Sequence, residues 1–154
     1  MHRKRVTKRV MIVEDQKATA WALAESLREE GYETLTAGSS EEALEMGIEH
    51  CDVLITDLRL PCMNGIELLN KARKKNSSLH SILITAYGSP EVMASARKAG
   101  AIRCFSKPFK VDEIKECLRT ALQASRGGRA KRRSAGGSSC AREGAPAAGT
   151  ARVR

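Results

Sequence analysis

Two carboxylates follow one apolar run, Val10-Met11-Ile12-Val13-Glu14-Asp15, and a third closes another, Val53-Leu54-Ile55-Thr56-Asp57. A hydroxyl ends Leu83-Ile84-Thr85, and an ammonium follows Cys104-Phe105-Ser106 at Lys107. Each polar group sits where a short buried strand would stop. A parallel sheet gathers the carboxyl ends of its strands on one edge, where open α/β sheets keep their ligands. Carboxylates brought within a few ångströms repel strongly unless a cation joins them. Oxygen-only donors favour Mg²⁺, which keeps several waters and suits phosphoryl chemistry. Lys107 and that cation would neutralise the equatorial oxygens of a phosphoryl group while the Asp57 carboxylate attacks in line, with the Thr85 hydroxyl across the pocket. The product would be an acyl phosphate, a covalent form open to hydrolysis.

Strand and helix signals alternate five times, which is what would position these groups. Residues 10–13 form a continuous apolar run, followed by a helical stripe at Ala20, Leu23, Ala24 and Leu27 that ends near Gly31. Trp21 lies just off that stripe and is expected to be partly in the core. Tyr32 to Ala37 reads as a second strand; Ser39 and Glu42 then have capping-box spacing, opening a helix expected to run to about His50. Val53 to Thr56 is the third strand, Pro61 to Gly65 a loop, and Ile66, Leu68, Leu69 and Ala72 begin the third helix. Ser81 to Thr85 is the fourth strand, Pro90 suits the first turn of a helix ending at Gly100, Ile102 to Ser106 is the fifth strand, and Val111, Ile114, Leu118 and Leu122 space a last helix. Apolar strands separated by helices predict a parallel sheet covered on both faces. The fold class is α/β, doubly wound and flavodoxin-like, with five strands in the order 2-1-3-4-5 and five helices. In that order Glu14, Asp15 and Asp57 meet at one point.

Composition suits one soluble domain with short extensions: 154 residues, 42% hydrophobic and 29% charged. The net charge of +9 is unevenly placed, since residues 1–9 carry five Lys or Arg and no acid, and residues 125–154 carry eight against one Glu. The expected organisation is a basic N-terminal extension over 1–8, one domain over 9–124, and a disordered basic tail rich in Gly, Ala, Ser and Arg over 125–154. Neither a membrane span nor a signal peptide is expected, because the first apolar run stops after Val13. Five cysteines with no C-x-x-C spacing fit a reduced cytoplasmic protein without structural zinc, and the thiols of Cys62 and Cys104 are expected to be inert.

The constellation resembles the receiver domain of two-component response regulators. The resemblance covers about residues 8–124 and rests on four motifs in order: Val-Glu-Asp at 13–15, Asp-Leu-Arg-Leu-Pro-Cys-Met-Asn-Gly at 57–65, Thr-Ala-Tyr-Gly at 85–88 and Lys-Pro-Phe at 107–109. The 28 residues from Asp57 to Thr85 and the 22 from there to Lys107 each fit one strand-helix unit, and the 42 from Asp15 to Asp57 fit two. The wording is most similar to receivers attached to enhancer-binding transcription activators. What the resemblance implies is phosphoryl transfer to Asp57 from a sensor histidine kinase or a histidine phosphotransfer protein. It also implies Mg²⁺ held by Asp15 and Asp57, with Glu14 acting through water and the Arg59 carbonyl completing the shell. Thr85 would turn inward to bond the phosphoryl oxygen, Lys107 would bond it from the other side with its peptide to Pro108 cis, and the side chains of Arg59 and Tyr87 would influence how fast the group is lost.

One departure stands out. The family usually places Tyr or Phe three residues before the Lys, as a ring that swings inward when the Thr moves; here that switch position holds Cys104, and Phe105 follows it. Neighbours on a strand face opposite sides, so Phe105 is expected not to substitute. The surface of helix four, strand five and helix five is then expected to respond to phosphorylation with weaker coupling.

Rival chemistries fare worse. A flavin binder would need a hydroxyl- and glycine-rich phosphate loop after the first strand, where this chain has carboxylates. A haloacid dehalogenase-type phosphatase would need a second Asp two residues after the nucleophile, where this chain has Arg59, and would carry the pair on its first strand. Two readings stay open beside the main one: a receiver-like module that docks without turning over phosphate, and a non-specific nucleic-acid binder acting through the basic ends, including Arg126 to Arg133. The expectation is a stand-alone receiver with no external substrate, catalysing only its own phosphorylation and dephosphorylation and signalling to a downstream protein. The kinase, the output partner and whether the chain forms a homodimer are left open.

Overall fold

Three of the strands are apolar nearly throughout, and the architecture follows from the need to cover both of their faces. The computed structural model describes residues 7–127, in the order β1 (Arg9–Val13), α1 (Lys17–Glu29), β2 (Glu33–Ala37), α2 (Ser40–Glu45), β3 (Val53–Asp57), α3 (Gly65–Lys75), β4 (His80–Thr85), α4 (Pro90–Lys98), β5 (Ala101–Ser106) and α5 (Val111–Gly127). The strands make one parallel sheet in the order β2-β1-β3-β4-β5. Strand order, strand direction and the five helices agree with the expectation from sequence. Residues 128–154, most of the expected tail, lie outside the described residues, as do residues 1–6.

The chain divides into two compact units, one through Glu113 and one from Ile114 onward. In the first, Met11, Val13, Leu54 and Leu83 point to one face of the sheet, where they pack with Ala43 of α2, Leu68, Leu69 and Ala72 of α3 and Ala96 of α4. The alternate residues Ile12, Ile55 and Ile84 turn to the other face and meet Ala20 and Leu23 of α1. In the second unit α5 bears Ile114, Leu118 and Leu122 at four-residue intervals, and an exposed Arg119–Glu116 ion pair of 2.8 Å.

Helix starts are set by side-chain caps. Ser39, Asn64 and Ser89 accept hydrogen bonds from the backbone amides of Glu42, Glu67 and Val92 at 3.1, 3.0 and 3.1 Å. Glu42 reaches back as a capping box requires, yet its carboxylate accepts from the amide of Gly38 at 2.8 Å, one residue earlier than Ser39. The Asn64 cap makes Gly65 the first helical residue, so the loop expected over Pro61–Gly65 ends one residue sooner. The helix expected to reach His50 stops at Glu45. Gly47 takes φ +86°, a left-handed turn that ordinary residues resist, and a single 3₁₀ turn at Ile48–His50 then tucks Ile48 into the core. Trp21, expected partly in the core, is 65% exposed.

The amino ends of the strands are pinned together on the edge away from the site. The Arg9 amide donates to Asp52 Oδ2 at 2.9 Å, the Arg9 guanidinium pairs with Glu33 at 3.2 Å, and the His80 amide donates to the Asp52 carbonyl at 3.1 Å. Burial pushes the His80 imidazole below the usual histidine range; the Asp52 charge opposes that shift and Lys8 adds to it. The unfolded chain therefore takes up this proton first. Stability should be level above the ordinary histidine pKa of about 6.5 and should fall as pH drops through it toward the lower folded value. Urea midpoints measured between about pH 7.5 and 5.5 should show that slope in the native protein and a smaller one in His80→Gln; equal slopes would assign the pH response to other groups.

Candidate functional site

Glu14, Asp15, Asp57, Thr85 and Lys107 each lie at or just beyond the carboxyl end of a strand, and the sheet order brings those ends side by side, whereas Cys104 lies within β5. Glu14 and Asp15 follow β1; the Glu14 amide still bonds the Ala37 carbonyl at 3.0 Å, so the strand geometry carries one residue past Val13. Asp57 ends β3 and Thr85 ends β4. Lys107 follows β5, with its amide on the Thr85 carbonyl at 2.8 Å and its peptide to Pro108 cis, as the family resemblance implies.

Asp57 is 8% exposed: sheltered, with a carboxylate that still reaches solvent. Its Oδ1 accepts from the Arg59 amide at 3.1 Å, and its Oδ2 from Lys107 Nζ at 2.7 Å. The same ammonium donates to Glu14 Oε1 at 3.0 Å, and Glu14 Oε2 accepts from the Gln16 amide at 3.1 Å. Lys107 thus bridges two strand ends that would otherwise present like charges to each other. Behind Asp57 lies a small apolar hollow lined by Ile12, Ile55, Ile84, Leu23 and Phe109, which lowers the dielectric beside the carboxylates.

Burial raises the Glu14 carboxyl above the ordinary range; the Gln16 amide and Lys107 pull it down, and the Asp57 charge pushes it up again. Burial on its own would lower Lys107, but its hydrogen bonds to Asp57 and Glu14 outweigh that and leave it above the usual lysine value. Both shifts are upward with opposite effect on charge: the two anionic partners hold Lys107 in its charged form, whereas burial, with the Asp57 charge nearby, favours the neutral form of Glu14. One donor atom each from Glu14, Asp15 and Asp57 falls within 4.8 Å of the others, with Asp15 the exposed member. Three hard oxygen donors, two of them buried and sharing the single Lys107 ammonium, fit a divalent cation such as Mg²⁺.

Thr85 is fully buried, and its Oγ1 accepts from the Tyr87 amide at 3.0 Å. Cys104 pairs in register with Leu83 and is half-buried against the face that carries α2, α3 and α4; burial pushes its thiol up, away from thiolate. Phe105 is buried at the next register position, beside Ile84, with Arg103 over its ring at 4.7 Å. The ring and the thiol are therefore not interchangeable. Cys62 is exposed, on the loop between β3 and α3, at φ +67°.

Three features were missed in the sequence. The Gln16 amide anchors Glu14, and nothing in a Gln before a helix announces it. Gly65 lies so close to the Asp57 carbonyl that no side chain fits there. Arg59 stacks on the Tyr87 ring, 4.8 Å from its centroid, joining two loops far apart in sequence.

A family model for the response regulator receiver domain matches residues 10–119. The chain belongs to the response regulator receiver family. Sporulation initiation phosphotransferase F of Bacillus subtilis is 31% identical over 118 residues, 76% of this chain and 95% of that protein. The regulatory protein AtoC and the DNA-binding transcriptional regulator NtrC of Escherichia coli are 34% and 31% identical over about three quarters of this chain, which spans only 25% and 24% of their lengths. Among solved structures, a CheY-like receiver domain protein from Methanospirillum hungatei superposes with a TM-score of 0.73 at 31% identity, covering 80% of this chain and all of that one. The beryllofluoride-activated NtrC4 receiver domain dimer gives 0.72 at 28% identity, covering 77% of this chain and 98% of that one. This receiver domain is thus a two-component signalling module with the flavodoxin-like fold. Among the described residues no helix is long and apolar enough to cross a membrane.

Proposed function

We propose that the domain accepts a phosphoryl group from a phosphohistidine donor, a sensor histidine kinase or a histidine phosphotransfer protein, onto Asp57. The observation that carries this is the Asp57 carboxylate at the end of β3, held by Lys107 Nζ at 2.7 Å and the Arg59 amide at 3.1 Å, with Glu14 and Asp15 alongside. In the transfer, a carboxylate oxygen of Asp57 bonds phosphorus as the P–N bond of the donor breaks. The bonding pair returns to the ring nitrogen, and the ring, protonated on its other nitrogen, leaves as neutral imidazole. Lys107 keeps Asp57 in place beforehand and stabilises charge on the phosphoryl oxygens as it moves. Thr85 supplies a hydroxyl to the same oxygens, and Arg59 and Tyr87 flank the path by which water would later hydrolyse the product.

Glu14, Asp15, Asp57 and the Arg59 carbonyl would hold Mg²⁺, which supplies Lewis-acid neutralisation of the phosphoryl charge. Signalling then passes by protein contact to a downstream partner. A cytoplasmic setting fits a donor of this kind. The basic ends would add at most weak, salt-sensitive contact with nucleic acid.

Incubation of the protein with acetyl phosphate should add one phosphoryl group to the intact mass in the presence of Mg²⁺ and none after chelation, and borohydride trapping should locate it at Asp57. A gain that ignores the metal, or a label elsewhere, contradicts the proposal.

A further inference from the structure

The turn from β2 into α2 contributes none of the groups at the strand ends, yet it is fastened to two segments that carry them. At its start the Ala37 carbonyl accepts from the Glu14 amide at 3.0 Å. Further on, the Ser40 hydroxyl donates to the Met63 carbonyl at 3.0 Å, in the middle of the loop that leaves Asp57. A serine in the first turn of a helix ordinarily faces water or bonds its own backbone. Ser40 is wholly buried and reaches a residue 23 positions away.

The loop it reaches is under strain. The Met63 amide bonds the Pro61 carbonyl at 2.7 Å, and Cys62 between them takes φ +67°. Such a turn is uncommon for a residue with a β-carbon and persists only where its surroundings hold it. Leu58, Leu60 and Met63 pack against the core, but apolar packing is non-directional. The Ser40 hydroxyl adds direction, since it fixes the way the Met63 carbonyl points.

We propose that Ser40 is a positioning residue for the cation: through Met63 it keeps the strained loop in the shape that presents the Arg59 carbonyl beside Glu14, Asp15 and Asp57. This role presupposes that those donors hold Mg²⁺. Without the hydroxyl, Cys62 relaxes toward negative φ in part of the population, and the apparent metal affinity falls with the fraction lost. The net contribution of one hydrogen bond puts that fall at about two- to ten-fold. Saturating metal restores the loop, so the chemical step at Asp57 keeps its rate.

The test titrates Mg²⁺ alone into the native domain, Ser40→Ala, Cys62→Gly and the double variant, reading amide chemical shifts by NMR, with urea melts in parallel. Ser40→Ala should bind about two- to ten-fold more weakly. Cys62→Gly should bind as the native domain does. The double variant should recover most of the loss, because glycine takes a positive φ without strain. Phosphoryl uptake from acetyl phosphate by Ser40→Ala should lag at low Mg²⁺ and reach the native rate at saturation. Ser40→Cys, which keeps the size but donates weakly, makes the same comparison should Ser40→Ala not fold. A merely structural serine would lower the urea midpoint and leave the metal affinity alone. Native affinity in Ser40→Ala, a loss that the double variant does not recover, or a rate that stays low in saturating Mg²⁺ overturns the role of Ser40 alone. A native domain whose shifts ignore Mg²⁺ overturns the cation reading, and this role with it.

Discussion

Asp57→Asn should take up no phosphoryl group at any concentration of acetyl phosphate or Mg²⁺, whereas Lys107→Met should still take it up, about 10²–10³-fold more slowly. The Asn amide is nearly isosteric, and its one oxygen can still accept from the Arg59 amide or from Lys107, though not from both on separate atoms as the carboxylate does, so the fold should survive. What it lacks is the negative oxygen that bonds phosphorus. Lys107 plays a different part: it makes no bond to phosphorus, but its ammonium sits 2.7 Å from the nucleophile and 3.0 Å from Glu14. Removing it takes away the fixed positive charge aimed at the phosphoryl oxygens. It also leaves Glu14 and Asp57, at 6% and 8% exposure, without their shared cation. For a fully buried pair that loss costs roughly 3–5 kcal/mol. With the Lys107 side chain 22% exposed, solvent screening lowers the figure. Added Mg²⁺ should then raise the melting temperature of Lys107→Met more than that of the native domain, because the metal takes over the charge the lysine provided. Intact-mass time courses and thermal melts with and without the metal decide both points; equal uptake by Lys107→Met and native protein would remove the lysine from the chemistry.

Gly65→Ala should destabilise the domain by about 2 kcal/mol, although alanine is the better helix former by roughly 0.5–1 kcal/mol. Gly65 opens α3, and its amide bonds the Leu58 carbonyl at 2.8 Å. A methyl group there would collide with the carbonyl oxygen of Asp57 and press within 3.0 Å of Leu58 Cα and Leu83 Cδ1. Two of those three atoms belong to the backbone around the acceptor itself, in a strand bonded on both sides, so they have little room to yield. Propensity favours alanine and packing opposes it, and packing wins by the larger magnitude. The displaced backbone carries the Asp57 carboxylate with it, so phosphoryl uptake should slow together with the loss of stability. A urea midpoint at or above the native one would mean that the loop relaxes freely.

The strand ends were legible in the sequence because a parallel sheet admits few arrangements: once Val10–Val13, Val53–Thr56, Ser81–Thr85 and Ile102–Ser106 are strands, the residues at and just after their carboxyl ends share an edge. Glu14, Asp57, Thr85 and Lys107 stand where that logic places them. The opposition of Cys104 and Phe105 follows equally from strand alternation. Less could be read where a local backbone choice competes with periodicity. Leu44 and Ile48, four residues apart, carry an apolar pattern past the end of α2 at Glu45, and the left-handed Gly47 interrupts the helix between them. The Arg59–Tyr87 stack could not be read, since it depends on the rotamers of two long side chains on loops 28 residues apart. Trp21 escaped as well, because one position on an amphipathic helix decides between core and solvent.

The site draws one group or two from each of four strand ends and nothing from the outward faces of α1 to α4. Lineages of such modules can therefore rewrite those faces, and with them the choice of correspondent, while the reaction stays the same. Duplication followed by drift of surface residues would yield a second channel with its own partners and the old chemistry, kept private by shape alone.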